Sequence, residues 1–311
     1  MCREAAASTS MAPADLGVPC LPQRSGRILV PRLAHSRWTL VLWAVLCPGI
    51  AQAAESGLPA ELHPWGRFKP GAWKLYRVVT ETLDEHGKVV DTTTTFTTTT
   101  LQATDGPGVL VLRTEAVVEV SGKRLEAQPS LVRQGLHGET AGDKVSILPM
   151  TTGEIEIQGR KIPCKIVQVQ TSGPNGATVA KTWFSPALAP YVLRRESRTT
   201  DATGKSVLSE TILQVTAMHV PCDLVPNSDG ASQVLVTTTH PKGKTVTKAL
   251  TSTDVPGGVI CHTAEEFDAN GRLIRRSTLT LIDYDVTPKK DRSGLFNRLR
   301  ARGHRSHRAP K

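Results

Sequence analysis

From residue 54 to residue 286 the chain alternates with a period of two, and Gly-bearing turn signals break the alternation at short intervals. Ile274, Arg276, Thr278, Thr280 and Ile282 fall on one face of an extended segment; Ser277, Leu279 and Leu281 fall on the other. A helix would repeat every 3.6 residues, so this pattern demands strands. The run Val109-Leu110-Val111-Leu112 has no polar face and reads as a strand covered on both sides. Turn signals lie at 84–87, 105–108, 121–122, 158–159, 173–176, 201–204, 241–243 and 268–271. Hairpins joined in this way predict an all-β, antiparallel meander forming a curved sheet or half-barrel. No amphipathic helix of three turns is expected, only short helical pieces near 60–62 and 129–134.

Composition agrees. Of the 233 residues in 54–286, 33 are Thr, a β-branched residue suited to a pleated, half-wet surface. The Thr run over 92–100 reads as one wet strand whose hydroxyls pair across the sheet.

A shift of 67 residues overlays the chain on itself without a gap. Pro174, Gly176, Thr178 and Val179 fall on Pro241, Gly243, Thr245 and Val246. Further on, Gly204 falls on Gly271, Lys205 on Arg272 and Val207 on Ile274. The expected units are about 167–216 and 234–283, within a stretch 153–286 that follows a first β unit over 54–152. A looser copy covers 78–88, where Asp84 and Gly87 match Asp268 and Gly271. Glycine at the fourth turn position supplies a positive φ, so a structural reason suffices for that match.

The first 53 residues read as an address. Arg24, Arg27, Arg32 and Arg37 precede a short apolar core over 38–50, and Ala51-Gln52-Ala53 follows. These are the parts of a secretory signal, with cleavage expected between Ala53 and Ala54. A retained anchor is the alternative, but the core is shorter than a membrane span. The residues before Cys47 fit a lipidation site poorly. The long head suggests a start at Met11 or nearer Val30.

The formal charge of +10 is concentrated at the ends. Residues 1–53 hold five basic and two acidic side chains, and 287–311 hold nine basic and one acidic. That leaves 54–286 with 24 basic and 25 acidic, close to neutral. The tail has only Leu295, Phe296 and Leu299 to bury, so it is expected to be disordered. It could touch an anionic surface or only aid solubility. A tail with one aromatic residue lacks a stacking platform, which argues against nucleic acid.

No catalytic motif stands out: there is no nucleophile elbow, zinc-protease helix, phosphate loop, dinucleotide fingerprint or paired-Cys motif. Cys261 and His262 are neighbours on a strand and point to opposite faces, so they do not share a metal. Asp283 and Asp285 share a face but lack a Gly-containing loop. No cofactor, metal or catalytic residue is therefore expected. A hydrolase of envelope polymers remains the enzymatic alternative.

Three cysteines follow the signal. A Cys164–Cys222 bridge would staple the first repeat and leave Cys261 free; three buried thiols are the alternative. His63, Trp65, Arg67, Phe68 and Trp73 crowd the entry to the body, and Trp183-Phe184 opens a later strand. Trp and Arg mark binding hot spots. In a chain with 4% aromatics they also serve as core. His63, Trp65, Arg67, Trp73, Trp183 and Phe184 are the candidate ligand residues.

A signal followed by a long-stranded meander, with Trp-Phe-Ser-Pro at 183–186 and Leu193-Arg194-Arg195-Glu196, resembles the LolA- and LolB-like lipoprotein-carrier superfamily. The resemblance spans roughly 65–285. It implies a half-barrel sheet over an apolar groove, closed by helices, with a lipid or other amphiphile as ligand. The opening at 63–68 also resembles secreted bacterial proteins, without implying an activity. Together these features predict a secreted, non-enzymatic envelope protein that binds an amphiphile or partner, or a structural module without a ligand.

Overall fold

The computed structural model describes residues 57–287, except 107, 121, 141 and 226–229. The expected signal, its cleavage site and the basic tail beyond Thr287 lie outside the described residues. The elements are one 3-10 turn (Ala60–Leu62) and fifteen strands: β1 (Trp73–Leu83), β2 (Val89–Asp105), β3 (Val109–Val120), β4 (Lys123–Glu126), β5 (Ser130–Gly135), β6 (Lys144–Ile147), β7 (Thr151–Ile157), β8 (Arg160–Gly173), β9 (Gly176–Phe184), β10 (Val192–Thr200), β11 (Val207–Val220), β12 (Ala231–His240), β13 (Gly243–Thr251), β14 (Val259–Asp268) and β15 (Leu273–Asp285). The all-β expectation holds. The helical piece expected over 129–134 is instead β5, because Ser130–Thr114 through Gly135–Val109 complete a ladder on β3.

All fifteen strands form one antiparallel sheet, not closed into a barrel. The order is β4-β3-β2-β1-β15-β14-β13-β12-β11-β10-β9-β8-β6, with β5 also on β3 and β7 also on β8. The stretches 54–152 and 153–286 thus share a sheet, and β7 runs through their expected boundary. The first and last strands pair with each other, from Trp73–Asp285 to Thr82–Arg275. Consecutive elements β5 and β6 therefore lie at opposite edges. At about 4.8 Å per strand, a flat path of thirteen strands would separate its edges by roughly 58 Å. The eight residues between β5 and β6 reach about 30 Å at most. The sheet has to curl.

The curl creates an inside. Phe184 and Leu193 are fully buried, as are Leu101, Ile260 and Val255. One cluster joins Leu58 and Leu62 to Val167, Val169 and Phe184. A second packs Ile155 and Ile157 of β7 with Ile162 and Cys164 of β8 against Leu193, Val215 and Val234. Here the β7–β8 hairpin extends past the end of β9 and folds over. Each such apolar side chain contributes about 1.5–3 kcal/mol on burial. Exposed ion pairs such as Arg275–Glu266 and Arg276–Glu81 are screened by solvent and contribute little. Apolar burial, not surface charge, holds the curl.

Two residue-level expectations change. The Thr run is not one wet strand: β2 sits between β1 and β3, and Thr97, Thr98 and Thr99 are buried. Hydroxyl pairs do form elsewhere across the sheet, at Thr178–Thr199 (3.0 Å) and Thr211–Thr238 (3.1 Å). Cys164 and Cys222 are free thiols rather than a bridge. Cys164 packs with Ile155, Leu193 and Val215, whereas Cys222 packs in a different cluster with Val255 and Ile260, close enough to Cys261 to enter its electrostatics.

The turns carry a common chemistry. Asp84 Oδ1 accepts from the amides of His86 and Lys88, Asp201 Oδ1 from Thr203 and Lys205, and Asp268 Oδ1 from Asn270 and Arg272. In each, the glycine three residues on has φ near +75°: Gly87 at 77°, Gly204 at 71° and Gly271 at 80°. The Arg272 amide, with the Asn270 amide and the Arg272 guanidinium, holds Asp268 below the usual carboxylate range. Replacing Asp268 with Ala should lower Tm in thermal unfolding, while Asp268→Asn, which keeps the acceptor, should recover most of the loss. Equal losses in the two variants would mean that the turn amides do not depend on this oxygen.

Candidate functional site

The connection from β5 to β6 has to pass over the inner face, and it does so above β8–β11. One rung of that face is Val167–Thr182–Arg195–Leu213, read across β8, β9, β10 and β11. Leu136 and His137 of the connection, with Leu58, His63 and Pro64 of the entry segment, cover this rung and leave a cavity of about 200 Å³. Val169 and Ala180 complete the apolar wall. The opposite rung, Gln168–Lys181–Glu196–Ile212, faces outward.

Three basic side chains meet at this cavity. The His63 ring is buried, and its Nδ1 accepts the Trp65 amide at 3.2 Å. That bond leaves the ring proton on Nε2, as a donor. Burial, aided by His137 and Arg195, lowers the His63 pKa to about 4, so the imidazole is neutral at pH 7. Burial also lowers the His137 pKa, against the opposing pull of Glu139. Arg195 donates from Nη2 to the His137 carbonyl at 2.7 Å, which ties the connection to β10. Burial lowers the Arg195 pKa, with Glu139 opposing, but a guanidinium keeps its charge. Glu139 Oε2 accepts the His137 amide at 2.9 Å and does not line the cavity.

A second buried cation stands on β1. Lys74 is 9% exposed, with Nζ 5.5 Å from the Trp65 ring centroid and 5.6 Å from that of Tyr76. No carboxylate pairs with it among the described residues. Burial lowers its pKa to about 8. His262 lies close enough for the Lys74 charge to depress its pKa further, after burial. Gly257 fits here because a Cβ would fall 2.7 Å from both Lys74 Nζ and Trp65 Nε1.

The six residues singled out in the sequence do not form one site. His63 alone lines the cavity. Trp65 packs with Leu101, Leu110 and Leu112 and stacks on Lys74. Trp73 is buried beside Lys74, on the opposite face of β1. Phe184 is core; its neighbour Trp183 faces the other way, between Lys181 (4.8 Å) and Arg194 (5.4 Å). Exposed Arg67 lies over Tyr191 at 5.5 Å, in a separate polar cleft with His219 and Asp254. Sequence reading missed Lys74, His137 and Arg195. Lys74 follows the apolar alternation in Trp73-Lys74-Leu75, and one member of Arg194-Arg195 has to face inward. Those were the available signals.

No protein-family model and no curated protein matches the chain. Among solved structures it is distantly similar to one from Bacteroides fragilis, described as a "putative exported protein with YmcC-like fold". That match has 9% identity and a TM-score of 0.24, and covers 70% of this chain and 97% of the other. The likeness to lipoprotein carriers expected from the residue pattern is not shown. The helical lid that it implied is also not seen, since the 3-10 turn is the only helix among the described residues.

The buried bases fix a pH dependence. Folded Lys74 holds its proton with a pKa of about 8, against 10.5 for an ordinary lysine. The unfolded chain binds the proton better, so stability rises between pH 8 and 10.5. For His63 the values are about 4 and 6.5, and stability is lost as pH falls through that window. Each effect is on the order of 3 kcal/mol. Lys74→Met should therefore raise the unfolding free energy at pH 7 and flatten the alkaline rise in urea titrations. A destabilised variant would mean that the ammonium has a compensating partner.

Proposed function

We propose that this chain is an exported, non-catalytic protein of the periplasm or cell envelope that holds an amphiphile on the inner face of its curled sheet. The observation behind this reading is the cavity over β8–β11, lined by hydrocarbon together with His63, His137 and Arg195. An apolar pocket with a few converging polar groups and shifted pKa values is the usual form of a small-molecule site. Export rests on the basic, apolar and small-residue pattern of 1–53. The basic tail would add contact with an anionic surface.

The test is native mass spectrometry on the full chain after secretion into a bacterial periplasm and detergent-free purification. A reproducible extra mass matching a lipid is expected, and Ala180→Trp, which fills the cavity, should remove it. A bare monomer, before and after incubation with envelope extract, would contradict the binding reading and favour a structural module.

A further inference from the structure

The cavity over β8–β11 is chemically one-sided. Arg195 is the only permanently charged residue among those lining it, and no carboxylate lines it. Glu139, the nearest acidic group to enter the electrostatics of Arg195, is bound to the His137 amide. The guanidinium spends one N–H on the His137 carbonyl, leaving four of its five donors for other partners. His63 supplies a further donor, because its Nδ1 is occupied by the Trp65 amide. Its ring is 8% exposed and lines the same space. A fixed cation beside a neutral imidazole N–H donor, inside an apolar enclosure, matches an anionic head group. A guanidinium takes carboxylate or phosphate oxygens in a forked geometry, and low polarity strengthens the pairing.

We propose that the ligand is an acidic amphiphile, an apolar chain ending in a carboxylate or a phosphate. Its head pairs with Arg195 and accepts the His63 Nε2–H, and its chain lies along Val167, Val169, Ala180 and Leu213. The inference rests on the binding reading above and specifies the ligand class for that site. A cationic amphiphile would face the guanidinium directly. A neutral one would leave the guanidinium with Glu139, outside the cavity lining, as its opposing charge.

The experiment is isothermal titration calorimetry on the exported full chain, stripped of bound lipid, with four probes sharing one chain length: octanoate, octyl phosphate, octanol and octyltrimethylammonium. The short chain suits a cavity of about 200 Å³. The acids should bind at least about tenfold more tightly than octanol, the difference one charge-assisted hydrogen bond supplies. The cation should not bind. Arg195→Gln should bring the acids to the level of octanol measured on the same variant. The order of octanoate and octyl phosphate separates a fatty-acid head from a phospholipid-type head. Octanol binding as well as the acids, or acid binding that survives Arg195→Gln, would overturn the head-group assignment while leaving the binding site in place. Failure of all four probes would overturn the binding reading itself. If Arg195→Gln does not fold, the acid-to-alcohol ratio of the native chain decides the question.

Discussion

The ladder between β1 and β15 sets everything else in this structure. It zips the start of the body to its end, from Trp73–Asp285 to Thr82–Arg275. With those strands in the middle of the sheet, the chain leaves in one direction through β2 to β5 and returns from the far edge through β6 to β15. The short link between β5 and β6 then has to bring two distant edges together. Backbone hydrogen bonds fix the order of the strands, and covalent reach forces the curl. Apolar clusters on the inner face fill the space so enclosed. The cavity lies where the link crosses the sheet, and the Arg195 bond to the His137 carbonyl fastens it there.

That arrangement has an energetic cost. A folded core built only for stability has no use for a lysine without a carboxylate or for an arginine facing hydrocarbon. Lys74 is kept by the rings of Trp65 and Tyr76, and Arg195 by one carbonyl and a more distant Glu139. Both sit inside a sheet whose outer surface has ample room for cations. Under the proposed binding reading Arg195, which lines the cavity, gains a use, because its attraction to an anion grows as water is excluded.

The architecture was legible because its signals are local. Period two, the Gly-bearing turns and the Asp84, Asp201 and Asp268 loops each need only a few consecutive residues, and each is found in the structure. The β1–β15 pairing joins strands about two hundred residues apart, and no local pattern encodes it. The site was half legible. His63 was found through its aromatic neighbourhood. His137 and Arg195 were not, because inward charges on a half-polar strand look the same in sequence as outward ones; only the register assigns Arg195 to the rung with Thr182 and Leu213. The Thr run misled for a related reason: residues 97–99 are covered by neighbours that their own sequence does not specify. The disulfide expectation met the same obstacle: Cys164 and Cys222 bracket a unit in sequence, but they are free thiols in different apolar clusters.

The curl is the central claim, and a distance across it is the most direct test. Leu125 of β4 and Val145 of β6 are exposed and mark the two edges of the path. Nitroxide labels at these positions, on the full chain with its other cysteines replaced, would report their separation by pulsed dipolar spectroscopy. The account predicts a single distance below about 40 Å, set by the short link between β5 and β6. A distribution centred near the roughly 58 Å of a flat sheet would contradict it, and the cavity would then have no enclosing wall.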